Sequence, residues 1–194
     1  MTFDLFITFL LIILNGFFVA AEFALVKVRA SQLDLKAQKG SSRAKLAKTL
    51  IEKLDAYLSA TQLGITLASL ALGAVGEEVI SQLVESLFHK IGWTPNDIAI
   101  HSISLPIALT ILTILHVTLG EQIPKMIGIK YCMATTLFIA WPMRVFYFLF
   151  SPFIWFLNQS SNLVLKLIGI KQGGDEDVHT EEELRLILTE SEEG

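Results

Sequence analysis

The sequence predicts an all-α integral membrane protein, with three transmembrane helices joined to amphipathic helices that lie beside the membrane. Three observations carry that prediction. Apolar stretches of roughly 20 residues recur, long enough to cross a hydrocarbon core of about 30 Å. Eight of the fifteen basic residues fall in one block between two such stretches, the usual mark of a cytoplasmic loop. Carboxylates sit inside or at the ends of the apolar stretches, where an ionisable residue is a functional candidate by default. The composition agrees, with 53% hydrophobic and 18% charged residues and a mean hydropathy of +0.58. Soluble domains run at about half apolar and a quarter charged.

The first stretch, from about Phe3 to Val28, is too long and lacks the basic start of a cleaved signal peptide. It reads as a retained membrane helix. Asn15 and Glu22 lie within it seven residues apart, which two helical turns place on roughly one face. Gly16, Ala20, Ala21 and Ala24 surround them and allow a neighbouring helix to come close. Glu22 has two open readings, a carboxylate snorkelling at the membrane edge or a functional charge; Glu reaches less far than Lys, which favours the second.

The block from Lys27 to Lys53 carries the eight basic residues, with Leu33, Leu35, Leu46, Leu50 and Leu54 among them and a Lys-Gly-Ser-Ser turn between. It predicts two short amphipathic helices on the membrane surface. The positive-inside rule makes this loop cytoplasmic and places the N-terminus outside. Anionic lipid is the expected partner of residues 27–53, and nucleic acid is not, because no aromatics interleave the bases.

The second span begins near Ala56, runs to about residue 76 and passes into Glu77–Lys90. Thr61 or Gln62, with Thr66 and Ser69, can present oxygens along one stripe, and Gly64, Gly73 and Gly76 are small. Hydroxyls bonded back to their own helix are the competing reading. Glu77, Glu78 and Glu85 mark the outer end, and Gly92–Asp97 reads as an external turn with Trp93 at the interface.

The third span, about 104–129, ends in Gly120-Glu-Gln-Ile-Pro-Lys125, the run around which the chain is organised. Pro124 has no amide hydrogen for the carbonyl of Gly120, which is thereby expected to be free of its helical bond. A carboxylate, a free backbone oxygen and a kink together are ingredients of a hard-cation site. The competing reading pairs Glu121 with Lys125 at i,i+4 where the helix leaves the membrane. His116 reads as a histidine hydrogen-bonded between helices rather than a metal ligand.

From Tyr131 to Leu167 the chain is apolar and aromatic, interrupted by Pro142 and Pro152, with Arg144 near its middle. This pattern favours a belt lying partly in the interface, which leaves three crossings and a cytoplasmic C-terminus; a fourth span is the alternative. Residues 172–194 form an acidic linker and the start of a cytoplasmic domain, with Thr180-Glu-Glu-Glu opening a helix by a capping box. The chain has no Gly-x-Ser-x-Gly, no His-Glu-x-x-His and no phosphate loop, so no enzyme activity is expected. Cys132, the single cysteine, is expected to be a small buried residue.

With these pieces in place the chain resembles the CorC/CNNM (cyclin M-like, "hemolysin C") family. The carriers are Asn15-Gly-Phe-Phe-Val-Ala-Ala-Glu22-Phe-Ala-Leu, Gly120-Glu-Gln-Ile-Pro-Lys125 and Thr180-Glu-Glu-Glu-Leu-Arg-Leu-Ile, in order and across the whole length. The resemblance implies a homodimeric transmembrane domain over residues 1–171 (spans about 3–28, 56–76 and 104–129, belt 131–167), N-terminus out and C-terminus in. It implies a place in the cell (inner or plasma) membrane. It implies paired cytoplasmic CBS domains in full-length relatives, where ATP binds, and magnesium export with sodium as the coupling ion. The implied ion site faces the cytoplasm.

The chain departs from the magnesium-transporting pattern at that site. Ser-Ala-Ser-Glu is replaced by Val19-Ala20-Ala21-Glu22, and Gly-Asn-Asn-Leu-Val-Asn by Gly64-Ile65-Thr66-Leu67-Ala68-Ser69. The expected metal ligands are therefore Glu121, Glu22, Gly120, Thr66 and Ser69, with Asn15, Gly64, Pro124 and Lys125 shaping or gating the site. The alternative function is a membrane-anchored dimerising regulator that positions a nucleotide-sensing domain and moves no ions.

Overall fold

The computed structural model describes residues 2–92 and 97–169, and these are helical nearly throughout. The elements are α1 (Thr2–Lys27), α2 (Ala30–Gln38), α3 (Ser42–Glu52), α4 (Leu54–Lys90), α5 (Asp97–Leu115), a π-helix (His116–Gln122), α6 (Ile123–Lys130) and α7 (Cys132–Ile168). Residues 93–96 of the expected external turn and the acidic tail at 172–194 lie outside the described residues.

Four helical segments are long and apolar enough to cross a membrane: Thr2–Lys27, Leu54–Lys90, Ala99–Lys130 and Cys132–Ile168. The first three cover the stretches expected as spans. The fourth covers the stretch expected as a belt, and one detail differs there: the prolines do not interrupt the helix, since α7 runs unbroken through Pro142 and Pro152. The physical reason is visible at Pro152. Its ring denies the carbonyl of Phe148 a helical bond, and the hydroxyl of Ser151 donates to that carbonyl at 3.1 Å instead. With the orphaned acceptor satisfied locally, the helix continues.

The basic block folds as expected into two short helices. Gly40, at φ 89°, makes the left-handed turn between them, and the Ser41 hydroxyl caps α3 by accepting from the amide of Ala44 at 3.3 Å. Leu33, Ala44, Ala47 and Leu50 are fully buried. Lys48 Nζ lies 2.7 Å from Asp34 Oδ1, tying α3 to α2. The aspartate holds the Lys48 ammonium above its usual pKa. The folded pKa is raised, so what this exposed pair contributes is present at neutral pH and is lost as pH climbs through that raised value.

The chain divides into two units, Met1–Ile154 and Trp155–Gly194. In the first, α1 is central, packing on α4, the π-helix and α6, while α5 packs on α4. One buried cluster joins Phe18, Leu25, Leu33, Leu50, Tyr57 and Met143. The Tyr57–Tyr147 rings meet at 4.8 Å and Phe18–Phe146 at 4.7 Å, fastening α7 to α4 and α1. Cys132 is half-buried against this cluster rather than fully enclosed. The described part of the second unit is the end of α7, where Trp155, Phe156 and Leu167 are exposed.

The distribution of polarity is that of a protein solvated by lipid. Phe3, Leu70, Trp141 and Phe148 are exposed, while Asn15, Thr61, Ser104 and Thr136 are fully buried. Hydrocarbon gives apolar side chains no reason to leave the surface, so helices are held by close packing and interhelical hydrogen bonds.

Candidate cation site

The site begins with a defect in a helix. After α5 the backbone widens into the π-helix His116–Gln122, and the amide of Ile123 bonds to the carbonyl of Thr118, five residues back. Such turns arise where the regular ladder is broken, and the break here is Pro124. In an α-helix, residues five apart lie about 140° round the axis from each other. The π-turn returns them to one side, and His116 Nε2 comes within 3.7 Å of Glu121 Oε1.

Asn15 on α1 holds this turn in place. It is fully buried, its Nδ2 donates to the carbonyl of Gly120 at 3.0 Å, and its Oδ1 accepts from Ser69 Oγ at 3.1 Å. Ser69 Oγ also lies 3.5 Å from His116 Nε2. The Gly120 carbonyl expected to be free is thus engaged, and this is a correction: an acceptor orphaned by proline inside an apolar bundle is too costly to leave bare. A carbonyl oxygen carries two lone pairs, and Asn15 engages one of them.

Glycines let the helices meet this closely. A Cβ on Gly16 would lie 2.8 Å from Pro124 Cγ, and one on Gly128 only 2.6 Å from the carbonyl oxygen of Ala20. At Gly120 a Cβ would lie 2.9 Å from Cδ2 of His116 and 3.3 Å from Asn15 Nδ2. The close α1–α6 seam that carries Asn15 to the π-turn therefore depends on glycine at positions 16 and 128. Gly64 does similar work elsewhere, seating the Phe18 ring within 2.5 Å of where its Cβ would be.

The other expected site residues are placed less uniformly. Ser69 joins the cluster, but the Thr66 hydroxyl is turned back to the carbonyl of Gln62 at 2.8 Å and Thr61 to that of Leu58 at 2.8 Å. Among the described residues no ion pair joins Glu121 to Lys125. Instead the Lys125 ammonium lies 4.8 Å over the ring of Phe23, which moves its charge off the carboxylate. Glu22 is half-buried on α1, and its carboxylate enters no hydrogen bond or ion pair among the described residues. The involvement of His116 with Glu121 was not read from the sequence, because a five-residue spacing matches no helical face. The signal that could have found it is Pro124 four residues after Gly120, which announces a broken ladder.

Chemically, the cluster offers one carboxylate, one imidazole, one hydroxyl, one amide oxygen and part of a backbone carbonyl. The Glu121 side chain is 44% exposed and that of His116 20%, so the cluster opens outward from the buried Asn15. Among the described residues no three His, Cys, Asp or Glu side chains gather to enclose a metal. A cation held by so few protein ligands would keep part of its water shell. Nearby, a recess of about 740 Å³ between α1, α6 and α7 is lined by Ile13, Phe17, Ile123 and Phe138, with only Tyr131 and Thr135 polar. It offers nothing to a cation.

Comparison with known proteins agrees with this architecture. The family described as "Cyclin M transmembrane N-terminal domain" matches residues 6–194. The chain is 46% identical over 182 residues to UPF0053 protein YhdT of Bacillus subtilis (strain 168), covering 93% of this chain and 39% of that protein. It is 42% identical over 191 residues to UPF0053 protein YrkA of the same organism, covering 98% of this chain and 44% of that one. The chain thus spans less than half the length of these relatives. With its helices and its proline-broken third segment accounted for, the chain belongs to the cyclin M transmembrane N-terminal domain family.

Proposed function

We propose that this chain is the membrane domain of a secondary transporter that moves a divalent cation, magnesium, outward in exchange for sodium. The observation that carries the proposal is the Glu121 carboxylate. It sits in a π-turn of an apolar helix, with no lysine or arginine paired to it among the described residues, and Asn15 of α1, itself bonded to Ser69 of α4, is hydrogen-bonded to the same turn. An ionisable group in such a place is expensive unless it has work to do. Glu121 supplies the negative charge, and Ser69 and the second lone pair of the Gly120 carbonyl supply neutral oxygens. Water completes the octahedron that magnesium prefers. Glu22 on α1 and Thr66 on α4, whose hydroxyl bonds to its own helix, are kept as further ligands of this reading outside the hydrogen-bonded cluster.

The working unit is a homodimer in the cell membrane with the N-terminus outside, and rocking of its halves exposes the pocket to either side. The basic helices α2 and α3 lie on the cytoplasmic face against anionic lipid. ATP is assigned to the CBS domains of longer relatives, and no catalysis to these residues.

Titration calorimetry of the purified chain with magnesium chloride tests the site. The parent is expected to bind and Glu121→Gln to show no binding; equal binding by both overturns the assignment. A second reading, a dimerising membrane anchor for a nucleotide-sensing domain, is favoured by one observation: Thr66 spends its hydroxyl on its own helix, which thins the ligand set. An anchor leaves ion gradients across a vesicle membrane unchanged.

A further inference from the structure

We infer that the recess between α1, α6 and α7 seats one acyl chain of an anionic phospholipid whose headgroup phosphate is held by Lys130, so that a bound lipid packs directly against the π-turn. The inference concerns this apolar recess and does not depend on which ion, if any, the polar cluster takes.

The recess has the size and chemistry for an acyl chain. Its volume of about 740 Å³ lies within the range of about 300–1,000 Å³ found for small-molecule sites. Its walls are aliphatic and aromatic, and only Tyr131 and Thr135 bring polar side chains to it. Of the lining residues, Ile13, Ile123 and Phe138 are exposed, so in a bilayer the mouth opens to hydrocarbon. Gly16 and Pro124, both buried, close it on the inner side where α1 meets the end of the π-turn.

Its length and its charged end specify the ligand further. Along the third segment the lining runs from Leu119 to Tyr131, roughly 18 Å at about 1.5 Å per residue. One leaflet of a hydrocarbon core is about 15 Å deep. At the Tyr131 end a smaller hollow of about 270 Å³ adjoins the recess, sharing Ile123, Ile127 and Tyr131 with it and adding Lys130. Lys130 is exposed, and its ammonium lies 5.6 Å over the ring of Tyr131. Among the described residues no carboxylate pairs with it. A lysine and a tyrosine side by side are suited to the headgroup level of a membrane. An apolar slot one leaflet long that ends at such a cation complements a tail and an anionic phosphate.

The same charge argues against a second copy of the chain as the occupant. A two-fold axis along the membrane normal would set two Lys130 ammoniums at one depth across the seam, like charge facing like. Close helix seams in membranes are also built from small residues, whereas Ile13, Ile123 and Phe138 are large.

The test is native mass spectrometry of the purified full chain, stripped of lipid in detergent and titrated with phosphatidylglycerol or with phosphatidylcholine of the same acyl chains. One phosphatidylglycerol per chain is expected, bound about fivefold more tightly than phosphatidylcholine, the fold-change of one lysine's attraction to anionic lipid. Lys130→Gln should remove that preference. Ala134→Trp, which fills the recess from α7, should weaken both lipids by about tenfold, the loss of roughly two buried methylenes. Lys39→Gln, at an exposed lysine of the basic hairpin, should leave the preference in place. Equal binding of the two lipids by the parent, or a preference that survives Lys130→Gln, overturns the inference. A preference lost equally in Lys39→Gln overturns it by placing the lipid on the basic hairpin. A lipid-free dimer that Ala134→Trp splits overturns it by placing a second copy in the recess. Lys130→Gln changes an exposed side chain and carries the test if Ala134→Trp fails to fold.

Discussion

Two histidine–glutamate pairs among the described residues are built from the same parts, and they are in different condition. At one end of α4 and α5, His101 Nδ1 lies 3.3 Å from Glu85 Oε1, and the same oxygen accepts from Ser104 Oγ at 2.9 Å. Ser104 is fully buried and lies 3.2 Å from Ser81. That carboxylate is spoken for, and it fastens one regular helix to another. In the π-turn, the one polar contact of Glu121 among the described residues is a long one, 3.7 Å to His116. A carboxylate with its hydrogen bonds made gains little from a cation, whereas one held among converging donors and left underbonded gains much. The difference between a fastening and a binding site lies in satisfaction, not in residue type.

Substitutions can break or sharpen this contrast. The largest effect is expected from Glu121→Gln, which should reduce cation binding by more than about a hundredfold, beyond the range seen when only outer-shell partners of a metal are lost. Calorimetry reads this directly, and Glu85→Gln in the same assay should bind like the parent. Asn15→Ala follows, because it strips the Gly120 carbonyl and Ser69 of their partner at a buried position. A loss of about 1–3 kcal/mol in unfolding stability is expected, with cation affinity falling as well. Gly128→Ala drives a Cβ to 2.6 Å from the backbone oxygen of Ala20 and should cost about 1–3 kcal/mol by overpacking the α1–α6 seam. Glu85→Gln should cost no more than about 1 kcal/mol, the range of partly exposed ion pairs. Smallest is Gly73→Ala, where an added Cβ meets nothing within 4 Å; helix propensity predicts neutrality or a gain of up to about 1 kcal/mol. Thermal unfolding in one detergent ranks these four stability effects.

Much of the fold was legible in the sequence because hydropathy and charge are read along the chain. The spans, the basic hairpin with its Gly40 turn and the apolar stretch from 131 to 167 all declare themselves that way. What was hidden depends on what crosses the bundle. Proline at 152 and proline at 124 look alike in sequence. In the fold, the carbonyl orphaned by Pro152 is met by Ser151 of the same helix, and the one orphaned by Pro124 is met by Asn15, 105 residues away. The first helix runs on and the second opens into a π-turn. The pairing of His116 with Glu121 follows from that turn and from nothing in the spacing itself. Thr66 fails to join for the opposite reason, since a threonine hydroxyl always has its own helix within reach.

The central claim is that Glu121 binds and passes a divalent cation. Magnesium flux into dye-loaded proteoliposomes carrying the purified chain, under an imposed sodium gradient, tests it most directly. The account predicts sodium-dependent flux in the parent and in Glu85→Gln, and none above empty vesicles in Glu121→Gln. Flux undiminished in Glu121→Gln, or no flux from the parent with any divalent cation, would contradict it.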